Sequence, residues 1–253
     1  MKKKITLVLF IVFSCIINIY AQGFIQKAVI EFEVKTNVKK TIGNGSWAEM
    51  FKDAMPQFMT GYYKFTFSGD KSIYQFDRWA DGPKVPEFFR RDDEMSVYYL
   101  DHNSGKILEQ KGVFGSEINV EDSIPAIKWR LTNESRMIAG FNCRKAVGII
   151  LDSIYVFAFY SEEIMIPGGP CSISGLPGMV LGLTIPRLYT SYIATKIMVN
   201  GVKEDEIKLG AVKKYITLSG LSTMMNERLK EWSSDDDEDS RNWRNLHVWK
   251  AVL

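Results

Sequence analysis

The chain has 253 residues, 46% hydrophobic and 25% charged, with 32 basic against 30 acidic side chains and a net charge of +2. This composition suits a packed globule and excludes a disordered linker, and the near balance of charge gives no basic stripe for nucleic-acid binding. The length fits one large domain or two small ones.

Lys2, Lys3 and Lys4 precede an uncharged run at residues 5–13, apolar but for Thr6, and a small residue, Ala21, stands just before Gln22. Charge, apolar core and small residue in that order make a secretory signal peptide. Residues 1–21 are therefore expected to be removed, and residues 22–253 to act in the periplasm or outside the cell. The apolar run is shorter than the about 20 residues of a spanning helix, and no later segment offers that length without charges. Cys15 gives a second reading, a lipid-anchored cysteine, against which bulky Phe13 and the apolar Ile16, Ile17 and Ile19 count. Removing the three lysines leaves 29 basic against 30 acidic side chains, a net charge of −1, so the apparent basicity belongs to the export signal.

In residues 28–34, Ile30, Phe32 and Val34 alternate with Glu31 and Glu33, the pattern of a half-buried strand. Ser46 and Glu49 fit a capping box that opens a short helix over residues 47–55, stopped by Pro56. Strands are expected at residues 62–67 and 72–77 around a turn at 68–71, then at 96–100 and 106–110 around a turn at 101–105. Residues 79–92, with Gly82, Pro83 and Pro86, read as a long loop. Further strands fall at 127–131, 143–151, 153–160, 180–184 and 188–199. Near the C-terminus, residues 222–232 read as a helix with Met225, Leu229 and Trp232 on one face. The acidic run Asp235–Asp239 reads as a solvated loop, with a calcium site as the sharper alternative; it lacks the ligand spacing of an EF-hand. Trp243 and Trp249 are placed to pack back on the domain, and His247 to lie in a terminal strand.

Short strands and regular turns without alternating long helices predict a mainly β fold, a single curved or half-open antiparallel sheet with short helices and a C-terminal helix. Ten aromatics crowd the N-terminal half, among them Tyr63, Phe65, Tyr74 and Tyr98. They supply either an ordinary core or an apolar concavity suited to a hydrophobic guest.

The most distinctive stretch runs from Gly140-Phe141-Asn142-Cys143-Arg144-Lys145-Ala146 to Gly175-Leu176-Pro177-Gly178-Met179-Val180, by way of Pro167-Gly168-Gly169-Pro170-Cys171. Proline fixes φ near −65° and glycine admits φ > 0. Pro177-Gly178 therefore suits a type II turn, with Leu176 and Met179 dropping into the core. It is read as a rigid corner, or as a backbone-lined surface for a ligand or partner. The stretch resembles the GLPGLI family (Porph_ging) of Bacteroidota, with Met179-Val180 in place of Leu-Ile. The resemblance implies an exported protein without an established activity.

Catalytic sets are hard to assemble. Only His102 and His247 exist; His102 is expected to be solvated in its turn. Glu162, Glu163 and Asp152 read as surface carboxylates. Cys143 and Cys171 form a candidate disulfide in an oxidising compartment, the alternative being two buried thiols. Such a bridge would close a loop of about 28 residues and stabilise by roughly 3–4 kcal/mol. The leading reading is a non-enzymatic binding or accessory protein of the envelope, its partner an apolar or peptidic ligand or another envelope protein. No cofactor or metal is invoked. The alternatives are a hydrolase or redox enzyme using Cys143 or Cys171, and an outer-membrane assembly factor.

Overall fold

The computed structural model describes residues 24–43, 49–50, 52–53, 55–82, 85–210, 212, 214–232 and 238–253. The expected signal peptide, its Cys15, the Ser46 cap and most of the acidic run lie outside these residues. Eleven strands form one antiparallel sheet: β1 (Lys27–Asn37), β2 (Phe58–Ser68), β3 (Lys71–Trp79), β4 (Val97–Asp101), β5 (Lys106–Val113), β6 (Ser116–Ser123), β7 (Arg130–Ile138), β8 (Phe141–Ile150), β9 (Ile154–Ser161), β10 (Met179–Ile185) and β11 (Thr190–Met198). The strands make two meanders, β1 to β6 and β7 to β11, joined where β11 pairs antiparallel with β1. The mainly β fold and open antiparallel sheet expected from the sequence are what the structure has.

Curvature follows from chain connectivity. Strands β6 and β7 are the two edges of the sheet. Laid flat, the edges would stand roughly 48 Å apart at about 4.8 Å per strand. Only residues 124–129 join them, and seven Cα steps reach at most about 25 Å. The sheet must curl until its edges approach, although they do not pair.

Alternation fixes the inner face. Met59, Gly61, Tyr63, Phe65 and Phe67 of β2 point inward, as do Ile107, Glu109, Lys111 and Val113 of β5. The main core gathers residues from β1 to β5 and β8 to β11 around the segment 162–178, which contributes Ile164, Ile166, Ile173 and Leu176.

Four helices accompany the sheet among the described residues: α1 (Val38–Thr41), α2 (Glu87–Met95), α3 (Leu218–Lys230) and α4 (Glu238–Val252). Thr217 caps α3, its side chain accepting from the Gly220 amide. The Leu221, Met225 and Leu229 face packs on Val113, Val120 and α4. No described helix is long and apolar enough to cross a membrane.

Several expectations are corrected. The long loop expected at 79–92 turns helical at Glu87, where α2 starts directly after Pro86 and runs on to Met95. Strand β6 was not anticipated, and the strand expected at 127–131 begins only at Arg130. His247 lies in helix α4, not in a strand. Trp232 stands past the end of α3 and is 59% exposed, although Met225 and Leu229 are buried as expected.

Candidate functional site

The Gly-Leu-Pro-Gly segment is a tight corner, but not a type II turn. A type II turn would send the Met179 amide to the Leu176 carbonyl. Here the Gly178 amide donates to Leu176 at 2.8 Å, and the Met179 amide donates to the Ile164 carbonyl at 3.2 Å. Two features call for glycine at 178: its φ is +146°, and a Cβ there would lie 2.2 Å from the Ser161 carbonyl oxygen. Leu176 and Met179 are both buried, as expected. The neighbouring Ser174 carbonyl accepts from the Trp129 indole at 2.9 Å. The segment is thereby tied to the 124–129 connection and stoppers one half of the curled sheet.

The expected disulfide is absent: Cys143 and Cys171 are free, buried thiols. The hairpin β8–β9 does bring Tyr160 back opposite Arg144. The chain then leaves on the excursion 162–178 before Met179 pairs with Ser161, and this carries Cys171 away from β8 and across the interior. The Cys171 Sγ stands 3.8 Å from the Tyr192 hydroxyl of β11, and it also meets Tyr98 of β4. Cys143 stays on β8, its thiol 3.5 Å from the Phe141 carbonyl. Burial pushes both thiols up to about 11, so neither carries the thiolate a nucleophile needs at neutral pH.

The hydrogen bonds of the thiols run to Phe141 and Tyr192, and that of His247 to Trp243. His102 occupies its turn but is half-buried, its ring against Gly168, and burial lowers its pKa. His247 donates from Nδ1 to the Trp243 carbonyl at 2.8 Å, and burial drives its pKa down to about 4. Asp152 lies in the turn of the β8–β9 hairpin and Glu162 and Glu163 just past its opposite end, so these exposed carboxylates do not converge.

The inner face is open where β1 to β5 and β11 pass beneath α2 and α4. A cavity of about 580 Å³ lies there, within the roughly 300–1,000 Å³ typical of small-molecule sites. Tyr63, Tyr74, Tyr98 and Tyr192 line it with Cys171, while Phe89, Leu246 and Leu253 add apolar surface. Tyr63 and Tyr74 stack at 5.3 Å, and Tyr74 meets Tyr98 at 5.8 Å. Of the aromatics anticipated from the sequence, Phe65 and Phe67 enter the solid core, and Tyr63, Tyr74 and Tyr98 line the cavity.

Helix α2 is seated by a close backbone approach. A Cβ on Gly112 of β5 would lie 2.3 Å from the Asp92 carbonyl oxygen. The Asp92 carboxylate accepts from the Phe114 and Gly115 amides at 2.9 and 2.8 Å. Across the rim, Lys250 of α4 pairs with Asp93 of α2 at 3.3 Å.

Two charged residues missed in the sequence complete the site. Lys111 and Glu109 are 2% and 0% exposed, with ammonium and carboxylate 3.1 Å apart. Lys111 also sits 4.2 Å over the Tyr98 ring. The ion pair is in contact but poorly aligned: the Lys111 Nζ and both Glu109 oxygens lack a well-directed hydrogen bond among the described residues, as does the Tyr74 hydroxyl. Burial raises the Glu109 carboxyl, an effect that the Lys111 charge and the Ser172 hydroxyl only partly offset. The signal was present in the sequence, since the phase that buries Ile107 in β5 also buries Glu109 and Lys111.

The site is thus a mainly apolar, tyrosine-lined chamber inside a curled antiparallel sheet, with the buried Lys111 and also Asp92, Asp93, His247 and Lys250 among its lining residues. No family model matches the chain, and no curated protein matches it. Among solved structures it is similar to PNGF-II. One form has a TM-score of 0.50 at 13% identity over 76% of this chain and 32% of that one. A second form has a TM-score of 0.46 at 12% identity over 89% and 33%. The chain spans about a third of the length of PNGF-II, and the first likeness is one of fold alone.

Proposed function

We propose that this is an exported envelope protein, resembling the GLPGLI family, that binds an apolar guest inside its curled sheet and performs no chemistry on it. The observation that carries this reading is the cavity of about 580 Å³ among Tyr63, Tyr74, Tyr98 and Tyr192. Closely packed interiors leave few voids larger than a water molecule, so a chamber of this size in an otherwise dense sheet is suited to a ligand. Both cysteines are buried with raised pKa values, which speaks against a thiolate mechanism. Export to the periplasm or cell surface rests on the order of features in residues 1–21.

The test is titration of the mature protein with the neutral apolar dye N-phenyl-1-naphthylamine. A saturable, one-to-one rise in fluorescence is expected. Ala251→Trp, which fills the cavity from α4, should abolish that rise while leaving the thermal midpoint within a few degrees. A linear, unsaturable signal, or one insensitive to Ala251→Trp, would count against the reading.

A further inference from the structure

We infer that the cleft beside the cavity is a second binding site, for an acidic saccharide, and that it works independently of the apolar guest.

The cleft, of about 490 Å³, lies between α1, the turn that joins β10 to β11, and α4. Its charge is one-sided. Lys39 and Lys40 of α1, Lys52, and Arg187 of the β10–β11 turn line it, with Asp239 as the acidic side chain among its described lining residues. No carboxylate pairs with Lys39, Lys40 or Arg187 among the described residues. Clefts lined by one sign of charge raise the local concentration of the opposite one. Aromatic rings alternate with these cations. The Lys40 ammonium lies 5.3 Å from the centre of the Tyr189 ring, and the Arg187 guanidinium 5.8 Å from that of Trp249. Both are within reach of a cation–π contact.

Tyr189 is held at φ +52° and is still 39% exposed. A bulky residue in the left-handed region is an outlier; such strain persists only where the surroundings enforce it, and it clusters at binding sites. Here the Tyr189 carbonyl accepts from the Asn37 amide at 3.0 Å, which ties the turn to the start of α1. Amides are the third component. The Asn37 Oδ1 accepts from the Lys40 amide at 3.3 Å and leaves its Nδ2 as a donor, while Gln57 and Asn242 are exposed at the cleft. A bare anion needs the cations alone, and an alkyl chain needs continuous apolar surface. Cations, open rings and amides together match carboxylates or sulfates, C–H ring faces and many hydroxyls, the chemistry of an acidic saccharide. Thr41, Trp243 and Leu246 line both the cleft and the cavity, but Tyr189 and the four cations line the cleft alone, so the two sites can be tested apart.

The experiment exposes the protein to an array of oligosaccharides bearing uronate, sialate or sulfate groups, each beside its neutral counterpart, with polyglutamate as a polyanion that has no sugar. The wild type should bind acidic members, and bind the neutral counterparts and polyglutamate roughly tenfold more weakly, the loss of one charge-assisted hydrogen bond. Lys40→Glu/Arg187→Glu should abolish that binding, and Asp239→Asn should strengthen it several-fold. Tyr189→Gly removes the ring and relieves the left-handed φ. It should weaken saccharide binding several-fold and leave the thermal midpoint within a few degrees, an outcome that a merely structural Tyr189 would not give. All these variants should titrate with N-phenyl-1-naphthylamine as the wild type does. Binding of no acidic oligosaccharide, equal binding of acidic and neutral ones, polyglutamate bound as tightly, or binding that survives Lys40→Glu/Arg187→Glu would each overturn the inference and leave the guest-binding role intact. Loss of the dye titration in that double variant would overturn the independence of the two sites.

Discussion

One sheet builds two different interiors. Over β7 to β10 the inner face is solid: the excursion 162–178 lays Ile164, Ile166, Ile173 and Leu176 against Ala146, Val156 and Ala158. Over β2 to β5 the same face is hollow where Tyr63, Tyr74, Tyr98 and Lys111 lie, with Cys171 of the excursion at its side, while Ile30, Phe65 and Phe67 belong to the solid core. The strands do not differ in their alternation, since β2 and β9 both bury every second residue. What differs is whether a loop or only helices cover them. The Gly-Leu-Pro-Gly segment is thus best understood as a plug that makes part of a curled sheet rigid, and the cavity lies where it leaves the sheet uncovered.

The largest expected effect falls on the plug. Gly178→Val would set a β-branched side chain at φ +146° and drive its Cβ into the Ser161 carbonyl. The loss of stability should exceed about 4 kcal/mol, the range reserved for exceptional substitutions. A thermal midpoint close to that of the wild type would show that the plug is not rigid.

The buried pair in the hollow half comes next. Lys111→Met leaves Glu109 without its cation and should cost roughly 3–5 kcal/mol, whereas replacing both by apolar residues should be nearly neutral. Denaturant unfolding of Lys111→Met and of Lys111→Met/Glu109→Leu distinguishes the two. An equal loss in both would mean that the pair stabilises the fold rather than serving the cavity.

A third effect depends on pH. The pKa of His247, in the cavity wall, is about 4, below its ordinary value near 6.5. The unfolded chain therefore takes up the proton first as pH falls. The stability held by neutral His247 is fully present above about pH 6.5 and is lost as the pH falls to about 4, a change of up to about 3 kcal/mol. His247→Phe should flatten that part of the stability profile, and an unchanged slope would place the proton uptake elsewhere.

The smallest effect contrasts packing directly. Ala158→Phe on β9 overfills the solid half and should cost about 1–3 kcal/mol. Ala251→Trp enters the hollow half and should cost less. Equal costs would erase the distinction between the halves.

Most of the sheet was legible in the sequence, because strands with one buried face write that face as alternation. The two strands that escaped or were misplaced are the edges. In β6 only Val120 is buried and in β7 only Ile138, so neither has a pattern to read, and both carry the charges with which edge strands resist further pairing. Helix α2 buries none of its residues; its signal was Pro86 followed by Glu87 at a helix start. The cysteine pairing failed because β-hairpin register says nothing about where an excursion between strands will travel. Glu109 and Lys111 were readable from strand phase alone, and a buried charge on an inward position is a stronger pointer to a site than any histidine in this chain.

The central claim, that the cavity holds a guest, is tested most directly by native mass spectrometry of the protein purified gently from its native source. The expected result is an intact mass above that of the polypeptide, with the excess released on activation as one small apolar molecule and lost in Ala251→Trp. A protein isolated at its bare polypeptide mass, and staying there after incubation with N-phenyl-1-naphthylamine, would contradict it.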